Sequence, residues 1–155
     1  MWTLHHKIAL SSPKLGELVA FRNVVREIPN CTAVDEACIE SIIREKGYNL
    51  HYVPDAIVKN KGPDNVSDFI KQRRRIAVGH KYLWRDQKYN VSTHSPLRIL
   101  EVLFQELSWN PKSIAWTAGA VVLEAIGRLL GYYDYIRKKE NPYIWDVACS
   151  TKRWE

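Results

Sequence analysis

Two groups of residues in this chain have types and spacing suited to joint chemistry. Asp35 and Glu36 are adjacent carboxylates, and Gln72-Arg73-Arg74-Arg75 places an amide beside three guanidinium groups. A carboxylate can take the proton of a hydroxyl as its oxygen attacks an electrophile. A guanidinium offers a rigid fork of donors matched to phosphate oxygens. Upstream, Gly16 allows close approach of backbone to a ligand or serves as a plain turn. Each group also has a simpler use. Acidic residues favour the first turn of a helix, and a charge run on a helix is commonly a solvated face.

The elements that must hold these groups follow from pattern. A helix over 35–46 buries a stripe of Ile39, Ile42 and Ile43 and stops at Gly47. Residues 14–22 read as a turn at Gly16 and then a short strand, with Leu18 and Ala20 on one side and Val19 and Phe21 on the other. Residues 49–60 are extended, with β-formers Leu50, Tyr52, Ile57 and Val58 and a bend at Pro54. After the Gly62-Pro63 break, a helix over 65–85 is capped by Asp64, Asn65 or Ser67. Its run of Lys71, Arg73, Arg74 and Arg75 faces several directions, so at least one arginine points inward.

A helix from Ser95-Pro96 and a longer one over 112–138, separated by Asn110-Pro111, complete the chain, and the tail after 140 returns as a short helix. The uncharged run Ser113–Leu123 is about half a bilayer-spanning length, and Glu124 and Arg128 then pair four apart. An interfacial or bundle helix therefore fits better than a clean transmembrane span. Trp116, Tyr132, Tyr133 and Tyr135, followed by Arg137-Lys138-Lys139, have the makings of a membrane-interface end with a basic flank. The pattern as a whole predicts an α+β chain: residues 1–92 with a few strands between helices, then a helical, membrane-proximal region over 93–155.

The 155 residues suffice for one ordinary domain, and 46% hydrophobic with 26% charged content is globular. A net charge of +6 suits an anionic partner: a nucleotide, a phospholipid surface or nucleic acid. Cys31, Cys38 and Cys149 are odd in number with no tight pair, which argues against a disulfide framework; Cys31 and Cys38 lack the zinc-hook spacing, and the set reads as that of a reducing, cytosolic setting. No signal-peptide pattern opens the chain. His5 and His6 are adjacent and so do not share a face, and His51 has no second ligand near it in sequence.

The ordered set Gly-Glu-Leu-x-Ala-Phe-Arg (Gly16 to Arg22), the acidic pair, Gly47-Tyr48, Val-Pro-Asp-Ala (Val53 to Ala56), Gly62-Pro63 and Gln-Arg-x-Arg resembles family 2 glycosyltransferases over about residues 10–80. More narrowly, it resembles the acceptor-side half of their GT-A catalytic domain, and the later helices resemble the membrane-proximal helices of many members. The resemblance implies a partial GT-A-like α/β unit that transfers a sugar, with inversion, from a nucleotide-sugar donor to a hydroxyl of a glycan or lipid-linked acceptor. It implies a carboxylate base at the acidic pair, with Asp35 favoured by residue type and Glu36 by register. It implies substrate-binding roles for Gly16, Glu17 and Arg22. The family's Gln-x-x-Arg-Trp motif falls on Gln72 to Ile76, so Gln72, Arg73 and Arg75 would bind the acceptor or the diphosphate side of the donor. Ile76 replaces the tryptophan that stacks on an acceptor sugar, which argues against processive polysaccharide synthesis.

Family members hold Mg²⁺ or Mn²⁺ through an Asp-x-Asp motif on an N-terminal nucleotide-binding half. The chain contains no Asp-x-Asp. The expectation is a C-terminal part of such an enzyme, beginning after the metal motif, binding no metal itself and inactive alone. Its place would be the cytoplasmic face of a membrane, with a separate N-terminal half as a further partner and no nucleic acid. Two alternatives use the same residues: a small basic module for membrane or nucleic acid built on the arginine cluster, and an anchoring subunit of a split glycosyltransferase.

Overall fold

All regular structure in the computed structural model, which describes residues 2–28, 33–91, 96–106 and 109–137, is helical. The order is α1 (Trp2–Ser11), α2 (Asp35–Glu45), α3 (Val66–Gln87), α4 (Pro96–Glu106) and α5 (Pro111–Ile136). The cysteines at 31 and 149, and the expected short helix after residue 140, lie outside the described residues.

Local signals place most of these helices. Helix α2 carries Asp35 and Glu36 in its first turn, where they complement the helix dipole. It ends in a Schellman turn: Gly47, at φ +80°, donates to the Arg44 carbonyl (2.9 Å), and the Tyr48 N–H donates to the Ile43 carbonyl (3.2 Å). Asn65 caps α3 by accepting the Asp68 N–H at 2.8 Å. Asn110 caps α5 by accepting the Lys112 N–H at 3.0 Å, with Pro111 at the first helical position.

The expected α+β class is overturned. Among the described residues there is no strand, either at 14–22 or at 49–60. The strand-forming side chains are there but find no ladder: Leu18 is 69% exposed, Val53 52% and Ile57 81%. The 49–60 stretch turns locally instead, with the Ala56 N–H donating to the Val53 carbonyl at 3.2 Å. β-propensity is largely a fit to a paired, half-buried surface, and one extended segment has no such surface to join. Helix α1 was not foreseen; residues 1–13 drew attention only for their histidines.

A small core gathers Val34, Ala37, Cys38, Leu83 and Val91, with Ile76 and Tyr89 packed against it. Cys38 is buried there and forms no disulfide among the described residues. The inward face of α2 is Ala37, Cys38, Glu40, Ser41 and Ile43, so only Ile43 of the three expected isoleucines is fully covered. Helix α1 packs on α4.

The most extensive packing joins α3 to α5. Arg73 meets Glu124, Arg74 meets Asp134 and Tyr82 meets Tyr135, so the two helices advance in the same direction. Gly127 and Gly131 make the approach possible. A Cβ on Gly127 would stand 2.6 Å from the Arg73 Cβ, and one on Gly131 would stand 2.6 Å from the Arg74 carbonyl oxygen. Small residues four apart let two helix backbones come this close.

Candidate functional site: the start of α2 and the basic turn of α3

The acidic pair sits on the exposed first turn of α2. Beside it runs the segment that joins α1 to α2, which carries Gly16, Glu17 and Arg22, all exposed. Gly16 faces open space.

A buried carboxylate fixes the start of that segment. Glu40, only 1% exposed, accepts the Leu15 N–H at 2.8 Å through one oxygen and the Tyr89 hydroxyl at 2.5 Å through the other. Arg44, one turn on, stands 3.7 Å from Glu40 and donates to the Pro13 carbonyl at 3.1 Å. Three stretches distant in sequence thus converge on one side chain. Burial first, and then the bond to the Glu40 carboxylate, push the Tyr89 hydroxyl well above the ordinary phenol range.

Lys14 is the cation this arrangement delivers to the site. Burial holds its ammonium below the usual lysine value; Glu40, Glu36 and Glu17 oppose that shift, and Arg73 adds to it. Glu36, Glu17 and Arg73 therefore lie within electrostatic reach of one amine. His5 of α1 belongs to the same neighbourhood: burial, then the Lys14 and Arg73 charges, hold its imidazole below the usual value.

The basic turn of α3 is divided. Arg73 lies over the Phe69 ring (5.3 Å to the centroid) and 3.2 Å from a Glu124 carboxylate oxygen. Arg74 makes a two-pronged ion pair with Asp134, one prong at 2.6 Å, which holds the guanidinium more firmly protonated. Two arginines therefore point toward α5, as the several-directions argument expected. Gln72 and Arg75 are half-buried. Arg75, two positions beyond Arg73, leaves the helix about 200° away from it. No contact joins Arg22 to Gln72 or Arg75 among the described interactions. Asp35 and Glu36 make no hydrogen bond or ion pair among the described residues.

Several contributors were not singled out in the sequence. Lys14, Glu40 and Asp134 reveal their partners only in three dimensions. The Glu124–Arg128 pair was legible from its spacing and is formed at 2.9 Å; that Glu124 also holds Arg73 was not. Gly127-x-x-x-Gly131 carried a visible signal in its spacing.

Chemically, an exposed carboxylate such as those of Asp35 and Glu36 can accept a hydroxyl proton. Among the described residues, no three His, Cys, Asp or Glu side chains are grouped to hold a metal ion. No protein-family model, no curated protein and no solved structure matches the chain.

Proposed function

We propose that this chain supplies the acceptor and base side of an inverting glycosyltransferase of the family 2 type, working at the cytoplasmic face of a membrane. The observation that supports this best is the acidic pair Asp35-Glu36 on the exposed first turn of α2, which follows the exposed segment that carries Gly16, Glu17 and Arg22. Glu36 takes the acceptor hydroxyl's proton as the oxygen attacks the anomeric carbon from the side opposite the leaving diphosphate, which inverts that centre. Register in the family's motif favours Glu36 over Asp35 as the base. Gln72 and Arg75, both half-buried, bind acceptor hydroxyls or phosphate. These groups sit on α2, α3 and the segment before α2, and none of them needs a sheet in this chain.

A nucleotide- and metal-binding half supplied from elsewhere completes the enzyme. Its Mg²⁺ or Mn²⁺ would neutralise charge on the departing diphosphate. The nucleic-acid alternative is less well supported, because Arg73 and Arg74 are engaged with carboxylates of α5. The test is reconstitution: the 155-residue chain is mixed with a nucleotide-binding half bearing Asp-x-Asp, and transfer from a nucleotide sugar is measured. Metal-dependent transfer by the mixture and none by either part supports the proposal. Transfer by this chain alone, or none by a mixture that co-purifies, contradicts it.

A further inference from the structure

The face of α5 turned away from α3 is exposed and apolar along its whole length. Val122, Ile126, Leu129, Tyr133 and Ile136 recur at alternating steps of four and three residues and are all exposed. They form a stripe about 21 Å long at a helical rise of about 1.5 Å per residue. The charged residues within this span are kept off it. Glu124 faces Arg73, Arg128 pairs with Glu124, and Asp134 is held by Arg74. By length and composition alone α5 could cross a membrane, yet its most apolar stretch is only 11% buried within the protein.

We propose that this stripe docks α5 lengthwise into the surface of an anionic lipid bilayer, without crossing it. Two observations commit the occupant. Cations and amphipathic rings mark both ends: Lys112 and exposed Trp116 at the start, and Tyr132, Tyr133 and Arg137 at the close, with Arg137 stacked 4.4 Å over the Tyr133 ring. Lys138 and Lys139 follow in the sequence, and the chain's net charge is +6. That combination suits the negatively charged headgroup layer, where aromatic and basic side chains settle.

The second observation decides between lying and crossing. Arg73 and Arg74 clamp α3 along α5, and α3 also carries Lys71, Arg75, Lys81 and Arg85. A crossing would either drag that polar helix into hydrocarbon or strip Glu124 and Asp134 of their arginines inside it. Lying flat keeps both pairs on the aqueous side and puts only the uncharged stripe into lipid. This deepens the membrane side of the glycosyltransferase proposal, and its test does not use sugar transfer, so either can fail alone.

The test is flotation of the full chain with phosphatidylcholine vesicles, with and without phosphatidylglycerol, followed by an alkaline carbonate wash. The expected result is flotation with the anionic vesicles only and release by carbonate. Leu129→Glu and Val122→Gln should each weaken binding roughly tenfold while circular dichroism keeps its helical signal. Ile57→Glu, on an exposed residue of the segment before α3, should bind as the parent does. Retention through the carbonate wash would show a spanning helix and overturn the proposal. So would absence of flotation, including the case in which the stripe pairs with a second copy in solution, or undiminished binding by both stripe variants.

Discussion

Arg74 and Asp134, sixty positions apart, meet in a two-pronged ion pair that joins the middle of α3 to the last turns of α5. Asp134 is buried, while Arg74 keeps about two-fifths of its side chain in solvent. The pair sits one turn from Gly131, where the two backbones come closest.

Asp134→Ala leaves the Arg74 guanidinium without its carboxylate at a largely covered site. The expected loss is about 2 kcal/mol of folding stability, below the range for fully buried pairs because Arg74 remains partly hydrated. Urea unfolding of Asp134→Ala, Arg74→Ala and the double variant measures it. The double variant should lose clearly less than the sum of the two single losses.

Two glycines of α5 separate packing from helix propensity. Gly119 faces open space, whereas Gly131 abuts the Arg74 carbonyl and the Ala77 side chain. Alanine at position 119 should raise stability by up to about 1 kcal/mol, the ordinary helix gain. Alanine at position 131 receives the same gain but must force α3 and α5 apart, at about 2 kcal/mol, for a net loss. Thermal unfolding of the two variants should shift in opposite directions.

The Tyr89–Glu40 bond carries a pH signature. The folded state raises the phenol above its ordinary value of 10.0, so the neutral hydroxyl is favoured by folding. That contribution is complete below pH 10 and is lost as pH climbs from there toward the raised value. Tyr89→Phe should remove this alkaline loss and cost about 1 kcal/mol at neutral pH, since Glu40 then lacks one donor. Stability curves of both proteins between neutral and strongly alkaline pH read the difference.

Helix positions were largely legible in the sequence because their signals are local. Gly47 stops α2, Asn65 caps α3, and Asn110-Pro111 opens α5 where expected. The strands were misread because Leu18, Val53 and Ile57 advertise β-structure without revealing whether a partner strand exists. Helix α1 lacked such punctuation, with no acidic first turn and no basic last turn. At the site, Asp35, Glu36 and the arginine run stood out by type. Lys14 and Glu40 did not, because a buried charge is recognised by the distant groups that satisfy it: Leu15, Arg44 and Tyr89 in the case of Glu40. Arg73, expected as a ligand donor, and its neighbour Arg74 are the fastening of α3 to α5.

Glu36, in the first turn of α2, is the proposed general base for sugar transfer. The most direct measurement is turnover of the reconstituted enzyme with Glu36→Gln, compared with Asp35→Asn. Glu36→Gln keeps the size and exposure of the side chain and removes only its basicity. The expected result is a fall of about 10²- to 10⁴-fold in kcat for Glu36→Gln, with helix content unchanged and Asp35→Asn affected far less. Full turnover by Glu36→Gln, with acceptor binding intact, would contradict the assignment.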